Sequence, residues 1–408
     1  MVDGSSLGLR RQLVDYLRRE GHLRDDRVAA AFIDVPREVF LPEHAERYGL
    51  DAVYRDDAIV TRRDPRSGLP LSSSSQPAIM AKMLEMLAVE DGQRVLEIGA
   101  GTGYNAALLD RLAGDGRVTS VEIDGEAAAE ARDALREVGA SVRVVVGDGR
   151  SLTPAVGAAF DALIVTASTE TIPRAWHDQL VPGGRLVVPL RLCSLAFSIQ
   201  VVVALGKVAH GFDTVAVTPG GFMALRGATS ATDGAVPRLV AHQATAEPGV
   251  DSPLLELTGP ALAGLDRRAR QRLVVTALGF ARRADMDLGP CAAPWALASY
   301  ATLALPVERL VQVLRARPPA DGAYALGVLD AGDGSLAALS TAPSGARLEG
   351  YGGRGAERVL AQAVERWTLA GRPGVDRLAV TVRYGGERPH AWRTARRGDQ
   401  WLAFDWAE

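Results

Sequence analysis

Short apolar runs alternate with amphipathic segments between residues 94 and 226. Compact apolar runs predict strands, whereas apolar residues spaced three and four apart predict helices. The runs predict five strands, at residues 94–98, 117–121, 142–146, 162–165 and 185–189. Because predicted helices separate these strands, we expect an α/β fold with a doubly wound parallel sheet. Two further runs, at residues 196–203 and 214–218, lack a helix between them and predict an antiparallel edge.

The regions on either side of this alternating segment have different patterns. Residues 1–90 are mostly helical, with amphipathic helices expected at residues 9–19 and 77–87. The Pro-, Gly-, Ser- and Arg-rich residues 61–75 between them predict a loop. We therefore divide the chain into an N-terminal helical region with a substrate loop (1–90), a core (91–228), a linker (229–235) and a C-terminal α+β domain (236–408).

The C-terminal domain carries no recognisable catalytic motif. Its pattern predicts helices at residues 267–283, 295–315 and 356–369, and strands at residues 377–384 and 401–406. Residues 330–335, between two apolar runs, predict a hairpin turn. Two roles remain open for this domain, namely a stabilising or dimerising extension and a module that recognises a peptide or another partner. The oligomeric state is left open.

Composition narrows the class of protein. The chain has 408 residues, 47% of them hydrophobic, which is enough for two domains with large cores. The formal net charge of −3 gives no general attraction to nucleic acid or to an anionic membrane. The uncharged residues 289–307 are interrupted by three prolines and do not predict a membrane span. Without an apolar signal-peptide core, the chain is expected to be cytoplasmic.

A glycine-rich turn is the strongest candidate for a binding site. The turn comprises Gly99, Ala100, Gly101, Thr102 and Gly103, between a predicted strand and a predicted helix. Its glycines allow close approach of the backbone to a ligand, and the helix N-terminus offers unpaired N–H groups. Glu122, about 20 residues later at the end of the next predicted strand, can accept both hydroxyl groups of a ribose. These features predict a nucleoside site.

Two further acidic positions make the pattern more specific. Glu97 stands two residues before the first glycine, and Gly147-Asp148-Gly149 follows the third predicted strand. The combination resembles the Rossmann-like class I S-adenosylmethionine-dependent methyltransferases. The resemblance places the methionine end of the cofactor at the glycine turn and Glu97, the ribose at Glu122, and the adenine at Asp148. It extends the cofactor contacts to Ile123, Gly149 and Thr166. The alternative is an ordinary strand–turn–helix unit whose carboxylates cap helices.

Motifs before and after the turn indicate one branch of these enzymes. They include Val35-Pro-Arg-Glu-Val-Phe-Leu-Pro42, Tyr54-Arg-Asp-Asp57, Ser75-Gln-Pro-Ala-Ile-Met80, Phe160-Asp-Ala-Leu-Ile-Val-Thr-Ala167 and Leu180-Val-Pro-Gly-Gly-Arg-Leu-Val-Val-Pro189. In this order they resemble the protein-L-isoaspartate O-methyltransferases over about residues 10–227. The resemblance implies that the Ser75 hydroxyl orients the acceptor and that Ser74 and Gln76 complete the rim. The alternative role for Ser75 is the N-cap of the helix that begins at Pro77.

The chemistry of carboxyl methylation agrees with this set of residues. A carboxylate is already ionised at neutral pH and can attack a sulfonium methyl group without a general base. Catalysis then requires in-line positioning and partial desolvation of the carboxylate. Neither cysteines nor histidines of this chain stand at metal-ligand spacing, and no metal is expected.

The chain differs in several features from the protein-L-isoaspartate O-methyltransferases that repair damaged proteins, and these differences favour a dedicated substrate. Residues 72–75 are all serine, and the preceding loop carries Arg62, Arg63 and Arg66, which could bind an acidic peptide. With its C-terminal domain, the chain resembles relatives that modify ribosomally synthesised peptides such as lanthipeptides. This resemblance implies methylation of an aspartate side chain in a cyclised peptide, with the ester leading to a succinimide and then isoaspartate.

Three other functions remain open. The first is general repair of isoaspartate in damaged proteins. The others are a methyltransferase for a small carboxylic acid and a binding module without catalytic activity. For the dedicated peptide methyltransferase and for general repair, the partner is a peptide or protein that carries aspartate or isoaspartate.

Overall fold

The computed structural model describes most of the chain. The described residues are 5–65, 68, 70–151, 159–193, 199–226, 238–242, 253–263, 265–278, 284–287, 294–315, 325–342 and 345–406. The proposed linker at 229–235 and Arg66 lie outside these ranges. Within them, no helix has the length and apolar character needed to cross a membrane.

Among the described residues, the N-terminal region contains five α-helices. They are α1 (Ser6–Arg19), α2 (Asp26–Asp34), α3 (Pro42–Tyr48), α4 (Leu50–Val53) and α5 (Pro77–Leu87). Side chains cap the first two helices, since Ser5 Oγ accepts the Gly8 N–H and the Asp25 carboxylate accepts the N–H groups of Arg27 and Val28. The helices expected at residues 9–19 and 77–87 are thereby confirmed.

The stretch expected to be a loop contains a β-hairpin. Strands β1 (Ile59–Arg63) and β2 (Pro70–Ser74) pair antiparallel, with Ile59 opposite Ser74. The expectation of a continuous loop was therefore wrong. The β-branched residues at the start of β1 favour a strand, and serines fill the buried positions of β2 where apolar residues would have signalled one. We call β1, β2 and the residues between them the serine hairpin.

The core has the predicted alternation of strands and helices. Its elements are β3 (Val95–Ile98), α6 (Tyr104–Ala113), β4 (Val118–Glu122), α7 (Gly125–Glu137), β5 (Arg143–Val146), β6 (Phe160–Val165), α8 (Arg174–Gln179), β7 (Leu180–Arg191), β8 (Gln200–Val208) and β9 (Gly211–Pro219). Strands β3 to β7 pair in parallel in the order β5-β4-β3-β6-β7. Strands β8 and β9 continue the sheet antiparallel, which confirms both parts of the prediction.

The C-terminal region contains a second, antiparallel sheet. Its elements are β10 (Arg238–His242), β11 (Pro253–Thr258), α9 (Arg267–Leu278), β12 (Ala284–Asp287), α10 (Pro294–Ala304), β13 (Leu310–Arg315), β14 (Ala325–Asp330), β15 (Ser335–Ala342), β16 (Gly345–Tyr351) and α11 (Gly355–Leu369). The predicted hairpin at residues 330–335 joins β14 to β15. The helix expected at residues 295–315 was too long, because it ends at Ala304 before Pro306 and the chain continues as β13.

The strands at residues 378–406 join the core sheet formed by β3 to β9. They are β17 (Leu378–Tyr384), β18 (Arg393–Arg397) and β19 (Gln400–Trp406). Strand β17 pairs with β9, so the complete order is β18-β19-β17-β9-β8-β7-β6-β3-β4-β5. This pairing covers the edge that β9 would otherwise expose. The C-terminal region therefore shares a sheet with the core, and one buried cluster includes apolar residues of both.

Candidate active site

The glycine turn between β3 and α6 has the backbone geometry of a ligand cradle. Gly99, Gly101 and Gly103 have φ angles of 98°, 53° and 91°, in the left-handed region that favours glycine. A Cβ atom on Gly99 would lie 2.4 Å from Thr166 Oγ1, so a larger residue is excluded there. The Thr166 hydroxyl donates to the Gly99 carbonyl oxygen at 2.7 Å and fixes the start of the turn.

The Glu122 carboxylate fixes the same turn from the end of β4. It is buried and accepts the backbone N–H groups of Gly101 (2.9 Å), Ile123 (2.9 Å) and Asp124 (3.1 Å). Asp124 rather than Glu122 caps helix α7, because its carboxylate accepts the Glu126 and Ala127 N–H groups. Helix capping therefore does not account for Glu122, whose carboxylate retains lone pairs for a ribose.

Glu97 is fully buried on β3. Its carboxylate accepts hydrogen bonds from Asn105 Nδ2 at 2.7 Å and from the Ser120 hydroxyl. Burial raises the pKa of Glu97 to about 7, against the effect of these two donors, which lower it. Asn105 also lines the cavity described below, so a single side chain separates Glu97 from the ligand site.

Asp148 and Gly149, which follow β5, make contacts with β3, Trp176 and Arg150. A Cβ atom on Gly149 would lie 2.3 Å from Ile98 Cγ2, so the chain passes directly against β3. Trp176 Nε1 donates to the Gly149 carbonyl oxygen at 2.7 Å. The Asp148 carboxylate forms an ion pair with the Arg150 guanidinium at 3.0 Å. The predicted adenine contact of Asp148 stays a prediction.

A buried arginine holds the acceptor side of the site. Arg37 Nη1 donates to the Val53 carbonyl oxygen at 2.8 Å, and Nη2 donates to the carbonyl oxygen of Ser75 at 3.0 Å and to Ser74 Oγ at 3.4 Å. Arg37 is fully buried, and burial lowers the pKa of its guanidinium. One cation thus ties the end of β2 to the N-terminal helices.

Asp56 fixes the same segment from the other side. Its carboxylate accepts Gln76 Nε2 at 2.9 Å and the Ala78 N–H at 2.8 Å. Gln76 occupies the N-cap position of α5, and Asp56 satisfies one of the N–H groups at that helix end. The alternative role of Ser75 as the N-cap is therefore wrong. Its hydroxyl remains available for a ligand.

These parts surround one cavity of about 550 Å³, which we call the central cavity. This volume is within the range of small-molecule sites. The predicted residues that line it are Ser74, Ser75, Gln76, Gly99, Ala100, Gly101, Thr102, Glu122, Ile123, Gly149 and Thr166. Glu97, Gly103 and Asp148 do not line it, although Glu97 contacts the lining residue Asn105.

The two arginines expected at the substrate site lie beside the central cavity. Arg62 pairs with Glu126 at 3.1 Å and with Glu130 at 2.5 Å, both on α7, and these carboxylates raise the pKa of Arg62. Arg63 Nη1 donates to the Gly68 carbonyl oxygen. Both arginines line a neighbouring groove between the serine hairpin and α7. An acidic peptide at Arg62 would therefore compete with Glu126 and Glu130.

Arg37 and Asp56 are site residues that the sequence analysis did not single out. Both lie within motifs that it quoted, Val35-Pro-Arg-Glu-Val-Phe-Leu-Pro42 and Tyr54-Arg-Asp-Asp57. Arg37 stands between Pro36 and Glu38, so its immediate neighbours do not mark it as a buried cation. Its partners lie up to 38 residues away, which is why their identity could not be predicted.

Comparisons with known proteins agree with this geometry. Residues 9–212 match the model of the family described as protein-L-isoaspartate(D-aspartate) O-methyltransferase. A protein-L-isoaspartate O-methyltransferase of Methanoregula boonei is 42% identical over 182 residues, which cover 44% of this chain and 77% of the relative. One of Thermotoga maritima is 40% identical over 169 residues, or 41% of this chain. That match spans about half (51%) of the Thermotoga relative.

A solved structure extends the likeness beyond the matched family region. It is a protein-L-isoaspartate O-methyltransferase that is 25% identical, with a TM-score of 0.50, and the match covers 92% of this chain and 96% of the other. The C-terminal region is thus included in the comparison. The chain belongs to the protein-L-isoaspartate(D-aspartate) O-methyltransferase family, whose members are S-adenosylmethionine-dependent protein carboxyl methyltransferases.

Proposed function

We propose that this protein methylates the free carboxyl group of isoaspartyl residues in peptides and proteins, as its family name describes. The observation that carries the proposal is the position of Ser75. Arg37 and Asp56 fix the backbone around it at the wall of the central cavity, and the glycine turn lines the same cavity. A methyl donor in the turn and a carboxylate at Ser75 would therefore occupy the same cavity.

The residues of the chain act by binding and orientation. Bound S-adenosylmethionine supplies an electrophilic methyl group on a sulfonium. Glu122 would hold the ribose, and Glu97 together with Asn105 would hold the ammonium group at the methionine end. The Ser75 hydroxyl would donate a hydrogen bond to one oxygen of the acceptor, and the other oxygen would attack. The serine hairpin lies over Gly101, with Ser73 O and Ser72 Oγ within 4 Å of a Cβ built there, and would limit the access of water to a cofactor at the turn.

A second candidate function is methylation of an ordinary aspartate in a dedicated, ribosomally synthesised peptide. The observation in its favour is that Trp295, which lies outside the matched residues 9–212, lines the central cavity. A substrate with one fixed sequence would benefit from such an added wall. We rank this function second because a solved protein-L-isoaspartate O-methyltransferase also covers 92% of the chain.

A pair of matched peptides tests the two functions. The peptides share one sequence and differ only in carrying L-isoaspartate or L-aspartate at the centre. We expect S-adenosylhomocysteine formation and the mass gain of one methyl group with the isoaspartyl peptide alone. The Glu122→Ala variant serves as the control for transfer at this site. Methylation of the aspartyl peptide alone would overturn the first function and support the second.

A further inference from the structure

One wall of the central cavity is built from residues beyond the region that matches the family model. The wall consists of residues 219–226, which begin at the last residue of β9, and of Trp295 at the start of α10. The family match ends at residue 212. This wall, which we call the outer wall, therefore lies outside the residues on which the family assignment rests.

Hydrogen bonds hold the first part of the outer wall in place. The Gln200 side chain accepts the Phe222 N–H at 2.8 Å and donates to the Phe222 carbonyl oxygen at 2.9 Å. The Ser168 N–H donates to the Met223 carbonyl oxygen at 2.7 Å, and the Leu225 N–H donates to the Ser168 carbonyl oxygen at 2.8 Å. Since Ser168 directly follows the lining residues Thr166 and Ala167, this part of the wall is fixed against the end of β6.

Helix α10 brings Trp295 to the same wall. Ala296, Leu297 and Tyr300 of this helix are buried in the cluster that extends into the core sheet, and Leu225 packs against that cluster. Trp295 precedes these residues and remains 39% exposed. An anchored helix therefore presents a large aromatic side chain whose free surface lines the cavity.

The two sides of the cavity differ in chemical character. Serines 72–75 form one side, where the acceptor carboxylate is proposed to bind. The outer wall offers the apolar side chains of Phe222, Met223, Leu225 and Trp295, together with Arg226 at its end. Since Ser75 and the outer wall line the same cavity, a peptide with its carboxylate at Ser75 would have the outer wall within the space that its neighbouring residues enter. Burial of an apolar neighbour there would stabilise the complex.

We propose that Trp295 is a specificity-determining residue, which binds a large apolar side chain next to the acceptor residue of the peptide. This inference rests on the proposed function, because it takes the acceptor site at Ser75 as given. The ligand class is a peptide with an aliphatic or aromatic residue adjacent to the methylated position. The C-terminal region acts here directly on the substrate, in addition to completing the sheet.

Steady-state kinetics with matched isoaspartyl peptides test the inference. The peptides carry leucine or glycine next to the isoaspartate, on either side of it. For the wild-type protein we expect a higher kcat/KM with a leucine peptide. Trp295→Ala should lower kcat/KM for that peptide about tenfold, the size expected for losing part of the burial of one large apolar side chain. The glycine peptides should change less than twofold, and Trp295→Phe should keep most of the preference.

A second tryptophan provides the control. Trp392 is 44% exposed and does not line the cavity. Its ring centroid is 5.0 Å from that of Tyr300, which lies on α10 together with Trp295. Trp392→Ala should leave the leucine preference unchanged, which excludes a general loosening of α10. Calorimetry should give the same cofactor affinity for Trp295→Ala and the wild type.

The outcomes separate the two proposals. If the wild type methylates isoaspartyl peptides and Trp295→Ala retains the full leucine preference, the inference alone is wrong. If Trp295→Ala weakens cofactor binding instead of the leucine preference, Trp295 belongs to the cofactor site and the inference is again wrong. If the wild type methylates none of the isoaspartyl peptides, both the proposed function and the inference fail.

Discussion

The two halves of the central cavity are built in different ways. The half around the glycine turn takes its main residues from β3, β4 and the turn between β3 and α6, which follow one another in the sequence. The half around Ser75 depends on Arg37, Asp56 and Trp295. These residues come from distant parts of the chain.

This difference has a functional meaning. The cofactor is the same for every substrate, and a compact unit of strand, turn and helix is sufficient to bind it. The acceptor differs between enzymes, and its half of the cavity is assembled from segments that can change separately. Substitutions should therefore divide into those that affect cofactor affinity and those that affect transfer to the peptide.

The largest effect is expected for Arg37→Ala, which removes the central support of the acceptor half. Several buried carbonyl oxygens would lose their donor, so we expect the free energy of unfolding to fall by about 3 kcal/mol, with loss of methyl transfer. Urea denaturation measures the stability. Arg11→Ala, at an exposed position of α1, is the control and should change stability by less than about 0.5 kcal/mol. An equally stable Arg37→Ala protein would contradict the assigned role.

Glu122→Ala should weaken cofactor binding and leave the acceptor half of the cavity unchanged. The variant loses the buried acceptor of three backbone N–H groups, and we expect cofactor affinity to fall roughly 30-fold, or about 2 kcal/mol. Isothermal titration calorimetry measures it, with Glu90→Ala at an exposed position as the control. Unchanged affinity would exclude Glu122 from the cofactor site.

Ser75→Ala should give the reverse result. We expect kcat for the isoaspartyl peptide to fall on the order of tenfold, the cost of one hydrogen bond to a charged acceptor. Cofactor affinity should stay within about twofold, because Ser75 is proposed to contact only the acceptor. Equal turnover of variant and wild type would remove Ser75 from the mechanism.

The buried carboxylate of Glu97 predicts a pH dependence in the cofactor half. With its pKa at about 7, Glu97 is mostly protonated at pH 6 and ionised at higher pH. Since the ionised form attracts an ammonium group, cofactor affinity should rise roughly eightfold between pH 6 and 7.5. The Glu97→Gln variant is the control, because only groups other than residue 97, such as those of the cofactor, titrate in it. Its cofactor affinity should depend less on pH than that of the wild type. Identical profiles would contradict the role of Glu97.

The same shift in pKa affects stability with the opposite sign. Between the ordinary value of 4.5 and about 7, the folded protein retains a proton that the unfolded chain releases. The contribution of Glu97 to stability is therefore complete below pH 4.5 and is lost as the pH rises through 7. The ligand-free protein should lose stability over this range, and Glu97→Gln should lose less.

The smallest effect is expected for Arg62→Ala, which tests the connection between the two halves. The ion pairs of Arg62 with Glu126 and Glu130 join the serine hairpin to α7, but both carboxylates are largely exposed. Exposed ion pairs contribute little, so cofactor affinity should change less than about threefold. A loss of transfer to acidic peptides alone would instead support the predicted role of Arg62 in substrate binding.

The sequence predicted the local half of the site better than the assembled half. The glycines, Glu122 and the parallel strands follow short-range patterns, and the structure contains them. The strand pairing of Pro70–Ser74 escaped prediction because serine carries no strong strand signal. The turn from helix to strand after Ala304 was obscured by a continuous apolar stretch. The contacts of Arg37 and the pairing of β17 with β9 depend on long-range packing that no local pattern encodes.

The pairing of strands β17 to β19 with the core sheet has a consequence for synthesis of the protein. During translation, residues 378–406 emerge from the ribosome after every other strand of that sheet, and β17 must pair with β9 across about 170 residues. Until then β9 is an unpaired edge that can associate with other chains, and closure of so long a loop is slow. Pairing of residues 378–406 therefore protects the nascent chain from aggregation, and premature termination before residue 378 would leave β9 as an exposed edge.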